Sequence, residues 1–128
     1  RICNSLADKI KSSIDDFNLI LSPAMGGVII GYEIGRILNK ETIFSERVEG
    51  KFKLRRDFHI KKNHKVLVLE DVITTGKSSL ECSELIKSAG ASIVGYACII
   101  NRSNGKSNIK EKIVSQIELN IPTYHDPT

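Results

Sequence analysis

Residues 66–79, VLVLEDVITTGKSS, set two carboxylates, Glu70 and Asp71, just ahead of two threonines, a glycine, a lysine and two serines. Between a strand and a helix, hydroxyls and backbone N–H groups converge readily on a phosphate, and the helix dipole adds to the attraction. The Gly-Lys-Ser ending is that of a triphosphate loop, G-x-x-x-x-G-K-[ST], yet five residues before Gly76 stands Asp71 where the first glycine belongs. That excludes a nucleoside triphosphate loop; a monophosphate fits the shorter cradle of Thr74, Thr75, Gly76, Lys77 and Ser78. Glu70 and Asp71 would repel the phosphate on contact, but they suit the vicinal hydroxyls of a sugar, and a magnesium ion can mediate. The chemistry indicated is recognition of a ribose-like sugar carrying a 5-phosphate. Acids that only meet the dipole of a helix are the blander alternative, but that does not explain an apolar strand, an acid pair, two threonines and a glycine in this order.

A scaffold must bring these groups together. Cys3, Leu6, Ala7, Ile10 and Ile14 fall at helical spacing, predicting an amphipathic helix over 2–16. A short strand over 17–21, a glycine turn over 22–27 and a helix over 28–39 follow, with Gly31 and Gly35 permitting close packing on a sheet. A strand is predicted over 42–46, a turn at Glu49-Gly50, and a hairpin arm or mobile loop over 51–60. The apolar run 66–69 reads as a buried strand that ends before the acids. The helix after the cradle carries Cys82, Leu85, Ile86 and Ala89 on one face and stops at Ala89-Gly90-Ala91, and 93–100 is a last apolar strand. Strands that are continuously apolar and alternate with helices indicate a parallel sheet covered on both sides, an α/β fold. Ligands of such sheets sit beyond the carboxyl ends of the strands, where the turns 22–27, 71–78 and 101–106 lie.

Composition narrows the classes of function. The chain has 128 residues and a net charge of +4, enough for one ordinary core. Residues 46–65 hold eight Lys or Arg against three acids, so the basicity is one local patch and the remainder nets −1. With only Phe52 and Phe58 interleaved, the patch suits a small polyanion better than a nucleic acid. Cys3, Cys82 and Cys98 form no C-x-x-C pair and read as core residues, and His59, His64 and His125 lack ligand spacing. No apolar run of membrane-spanning length occurs and the start does not read as a signal peptide, so a cytoplasmic location without membrane contact is expected. Position 1 is not Met, which reads as a fragment or a processed product.

The segment 66–79, together with Ser22-Pro-Ala-Met-Gly-Gly27, Glu46-Arg-Val-Glu-Gly-Lys51 through Arg56, and Ile100-Asn-Arg-Ser103, resembles the orotate phosphoribosyltransferases of the type I phosphoribosyltransferase family over nearly the whole chain. The resemblance implies a single core domain over 1–128, a twisted, mainly parallel sheet flanked by helices with a mobile hairpin loop. It implies transfer of phosphoribosyl from phosphoribosyl diphosphate (PRPP) to orotate with Mg²⁺, giving orotidine 5′-monophosphate and diphosphate. PRPP would then be bound by Ala24, Met25, Gly26 and Gly27 around the diphosphate, by Glu70 and Asp71 at the ribose, and by Val72, Ile73, Thr74, Thr75, Gly76, Lys77 and Ser78 at the 5-phosphate. Thr74 and Arg102 would meet orotate, Arg102 pairing with its carboxylate. Arg47, Lys51 and Asp71 would be catalytic, the first two as cations of a loop that closes over the diphosphate, often from the neighbouring subunit of a homodimer. Mg²⁺ would arrive on PRPP, with Asp71 as a protein carboxylate near it. Gly26, Asp57 and Lys77 depart from the pattern, and the family's N-terminal hood has no counterpart in residues 1–128. The alternatives are another base phosphoribosyltransferase, which needs no Arg102, and a non-catalytic PRPP-sensing regulator.

Overall fold

Successive residues of a strand face opposite ways, so an apolar run can fill two cores at once. Leu19, Leu21, Val66 and Val68 do so on one side of a sheet, and Ile20, Leu67 and Leu69 on the other. The computed structural model describes residues 2–14, 16–24, 26–54, 58–103, 109 and 112–118, without the side chains of residues 51 and 52. Its elements are α1 (Ile2–Ser13), β1 (Leu19–Pro23), α2 (Val28–Leu38), β2 (Glu41–Val48), β3 (Lys51–Leu54), β4 (Lys65–Ile73), α3 (Lys77–Ser88), β5 (Ser92–Asn101) and β6 (Ile113–Glu118). The strand order is β3-β2-β1-β4-β5-β6. All neighbours run parallel except β2 and β3, which form an antiparallel hairpin.

Helices cover both faces, as continuously apolar parallel strands require. Leu6, Ala7 and Ile10 of α1 and Ile30 and Ile34 of α2 pack with Ile20, Leu67, Leu69, Ala97 and Val114. Cys82 and Ile86 of α3 pack on the opposite face with Leu19, Leu21, Val66, Val68, Tyr96 and Cys98. Burial pushes the Cys82 and Cys98 thiols up to about 12, so both stay neutral core groups. The hairpin turns at Glu49 and Gly50, both with positive φ, the two-residue turn whose twist matches that of its strands and in which glycine is at home. Among the described residues no helix is long and apolar enough to cross a membrane.

Several boundaries differ from the sequence expectation. The strand expected to stop at Leu69 runs on through Ile73, because β5 continues alongside it and pairs with Glu70, Val72 and Ile73. The acids are therefore strand residues and not turn residues. β1 lies two residues further on than predicted, α1 ends at Ser13, and β2 extends to Val48. β6 was not anticipated; it is a short edge strand with a single buried residue, Val114, and such a strand carries little hydrophobic signal. The expectations for Met25, Arg55, Arg56, Asp57, Lys106 and His125, and for the side chain of Lys51, concern positions outside the described residues.

α2 lies close on the sheet because glycines face it. A Cβ at Gly35 would overlap Thr42 Oγ1 and stand 3.0 Å from the Lys40 carbonyl oxygen, and Thr42 already donates its hydroxyl to Gly31 O. Gly35→Ala gains about 1 kcal/mol of helix propensity but overpacks a site whose backbone cannot retreat, at about 1–3 kcal/mol. The variant should therefore unfold at lower urea concentration than the wild type, with an unchanged m-value. Higher stability would show that α2 can stand off the sheet at no cost.

Candidate active site

The alternation that fills the two cores continues to the end of β4 and decides what its acids do. Glu70, in step with Val66 and Val68, faces α3, where its carboxylate accepts a hydrogen bond from the buried hydroxyl of Ser79. Asp71, in step with Leu67 and Leu69, faces the α2 side and rests against the first glycine turn. A Cβ at Gly26 would lie 2.8 and 2.9 Å from the two Asp71 carboxylate oxygens, so the absence of a side chain at Gly26 makes room for Asp71. Asp71 Oδ1 also accepts from the Val72 N–H at 2.9 Å. The neighbouring acids thus serve opposite faces of one strand and reach two different turns.

Behind Glu70 opens a cavity of about 130 Å³ lined by Glu70 and residues 72–78. Its floor is a strand end and its wall the first turn of α3. Gly76 adopts φ +87, which a side chain would resist, and so turns the chain straight from strand to helix. The Thr75 hydroxyl accepts from the Lys77 N–H at 3.2 Å. Thr74, Thr75 and Lys77 are exposed, and no acid stands in the first turn of α3. N–H groups at a helix start, hydroxyls and an ammonium group form a cradle for a phosphate-sized anion.

Two further turns border it. The Ala24 N–H donates to Ser45 O at 2.6 Å and that of Gly27 to Pro23 O at 3.0 Å, which shapes the turn that Asp71 supports. Beyond β5, the Arg102 N–H donates to Ile73 O at 2.7 Å, joining that turn to the cavity wall. Asn101 Oδ1 accepts from both Ser103 N at 3.0 Å and Ser103 Oγ at 2.7 Å, holding the exposed Arg102 between them. Arg47 is placed differently. Its guanidinium forms a forked pair with Glu81 of α3, at 3.2 and 2.8 Å, and donates to Gly50 O at 3.1 Å. Arg47 holds the Glu81 carboxyl below its ordinary range, first through the hydrogen bond and then through charge.

The structure therefore gathers Glu70 with 72–78, Asp71 with Gly26, and Arg102 with Ile73, while Arg47 lies on Glu81. Sequence reasoning missed Ser79, Glu81, Asn101 and Ser103. Strand and helix phase could have found Ser79 only once β4 was known to run past Leu69, since alternation then turns Glu70 toward the first turn of α3, where Ser79 lies. A larger surface groove of about 720 Å³, lined by Ile2, Cys3, Asn4, Glu33, Arg36 and Ile37, lies away from these turns. Among the described residues no group of three or more His, Cys, Asp or Glu could hold a metal ion by itself.

Residues 1–128 match the family described as "Phosphoribosyl transferase domain". The "Orotate phosphoribosyltransferase" of Caulobacter vibrioides (strain NA1000 / CB15N) is 44% identical over 124 residues, 97% of this chain and 64% of that protein. The protein of the same name from Parvibaculum lavamentivorans is 42% identical over 125 residues, again 97% and 64%. The chain thus spans 64% of the length of these curated relatives. Among solved structures, the adenine phosphoribosyltransferase of Thermoanaerobacter pseudethanolicus superimposes with a TM-score of 0.79 at 16% identity, covering 92% of this chain and 78% of that one. The orotate phosphoribosyltransferase of Aeropyrum pernix gives 0.74 at 19%, covering 92% and 70%. At such identities the structural likeness shows the fold alone.

Burial, chiefly, raises the Glu70 pKa above its ordinary 4.5; the Ser79 hydrogen bond opposes the rise and the Asp71 charge adds to it. A raised folded pKa means that the native state holds the proton longer than the unfolded chain, so stability is lost as pH rises from about 4.5 through the folded value. Glu70→Gln, which keeps an acceptor for Ser79, should therefore raise the thermal midpoint at pH 7, and the gain should shrink toward pH 4. A variant less stable at pH 7 than the wild type would contradict this.

Proposed function

The chain belongs to the phosphoribosyl transferase domain family, and we propose that it carries the orotate phosphoribosyltransferase reaction, transfer of phosphoribosyl from PRPP to orotate. The observation that carries the reading is the end of β4. There a hydroxyl acceptor, Glu70, lines the same cavity as the phosphate cradle 72–78, and the exposed Arg102 is tied to its wall through Ile73 O. A sugar with its 5-phosphate in the cradle presents its hydroxyls to the strand end, and a base attached at C1 comes within reach of an arginine on the adjoining turn. The identity with proteins named orotate phosphoribosyltransferase supports the choice of base.

In this reading the bond between ribose C1 and the diphosphate breaks as the bond from orotate nitrogen to C1 forms; the diphosphate leaves with the electron pair, and the proton of that nitrogen passes to the leaving diphosphate or to solvent. Positive charge grows on the sugar and negative charge on the leaving group, and fixed charges that match this separation lower the barrier. Glu70 and Asp71 bind and orient the ribose hydroxyls. Backbone groups of Ala24, Met25, Gly26 and Gly27 wrap the diphosphate. Asp71, packed on Gly26, is the carboxylate that would help to hold an Mg²⁺ carried by the diphosphate; when bound, the ion would neutralise charge at the leaving group. Arg47 and Lys51 lie on the hairpin, and their proposed action on the diphosphate, across a homodimer, requires Arg47 to exchange Glu81 for phosphate oxygens. Closure of such a loop keeps water from the reacting carbon. A cytoplasmic setting belongs to the same proposal.

Orotate-dependent release of diphosphate from PRPP by the complete polypeptide tests the reading; release that depends on a purine instead would replace it. Arg102→Ala should weaken orotate by about tenfold, the low end for a charge-assisted pair on an arginine that starts exposed. Binding of uracil, which lacks the carboxylate, should change little. Calorimetry of both bases, with an unreactive PRPP analogue present, reads the difference. Equal weakening of the two would remove Arg102 as the reader of the carboxylate.

A further inference from the structure

Ser79 lies in the first turn of α3 with no exposed surface, and its hydroxyl is given to the Glu70 carboxylate. Nothing in the helix itself calls for a serine there: alanine is the better helix former, and a buried hydroxyl without a task costs stability. A helical serine commonly returns its proton to the carbonyl four residues earlier, whereas here it reaches across to the strand. One carboxylate oxygen of Glu70, Oε2, is taken. Glu70 also lines the cavity beside residues 72–78.

We propose that Ser79 is a positioning residue for sugar recognition, fixing the Glu70 carboxylate so that its remaining oxygen accepts a ribose hydroxyl. The inference rests on the reading that the cavity takes the ribose 5-phosphate of PRPP. It makes the first turn of α3 a double support: its start shapes the phosphate cradle, and its third residue sets the acceptor for the hydroxyls of the same sugar. A shift of α3 would move both at once.

The test compares affinity for PRPP with Mg²⁺ and for inorganic phosphate in the wild type, Ser79→Ala, Ser79→Cys and Ser79→Thr. In Ser79→Ala affinity for PRPP should fall by about tenfold, while that for phosphate, which meets only the cradle, should change little. Ser79→Cys, a weaker donor, should lie between the two and serves if the alanine variant does not fold. Ser79→Thr, which keeps the hydroxyl, should restore PRPP affinity. Unchanged PRPP affinity in Ser79→Ala, or an equal loss for PRPP and phosphate, overturns the role of Ser79 while leaving the proposed function intact. Wild-type protein that binds no PRPP overturns both.

Discussion

Beyond Leu69 the chain could have left the sheet, and the two acids would then have hung in a loop with no defined side. Instead β5 runs on beside it, pairing Cys98 with Glu70, Ile100 with Val72 and Asn101 with Ile73. A paired strand has a pleat, and the pleat sends Glu70 to the α3 face and Asp71 to the α2 face. From that follow the Ser79 bond, the contact of Asp71 with Gly26, and the junction of the Arg102 turn with the cavity wall through Ile73 O. The loops of the site are independent in sequence, but each is anchored to the last four residues of one central strand.

Stability and chemistry pull against each other at Glu70. A carboxylate held largely out of water resists ionisation, and only the ionised form is a pure acceptor for hydroxyls. In the proposed function the group stands beside a cradle of opposite electrostatic sign, where helix N–H groups and Lys77 would draw a phosphate. Separating them matters, since a carboxylate aimed into the cradle would repel the ligand that the cradle attracts. Rigid placement on a paired strand, with one oxygen held by a buried hydroxyl, fixes where the carboxylate stands relative to the cradle. Sites commonly store such costs while the surrounding core supplies stability.

Much of this was legible in the sequence, and what was hidden had physical causes. Apolar runs such as LIL and VLVL announced a parallel sheet covered on both sides, and the threonines and glycine after the acids announced the turn from β4 into α3 at Gly76. The helix faces of Cys82 and Ile86 and the close approach at Gly31 and Gly35 could also be read. The extension of β4 could not: charge at Glu70 and Asp71 looks like a strand end, and only the partner strand shows that pairing continues. Ser79 and Glu81 are ordinary helix residues until the strand phase and the hairpin are known. Arg47 could be read as a loop cation, but its fork on Glu81 depends on how the β2–β3 hairpin crosses α3, a long-range arrangement without local signal. β6 lies at the edge, where half-exposed residues weaken any pattern.

The central claim is that the end of β4 and the start of α3 form one site for a phosphorylated sugar. Backbone amide resonances followed during titration with ribose 5-phosphate test it most directly, because they report each turn separately. The account predicts saturable shifts concentrated at residues 70–79, with those of 74–78 the largest, and none of comparable size along the groove that Ile2, Glu33 and Ile37 line. Shifts that fall elsewhere while residues 74–78 stay unmoved at saturating ligand would contradict it.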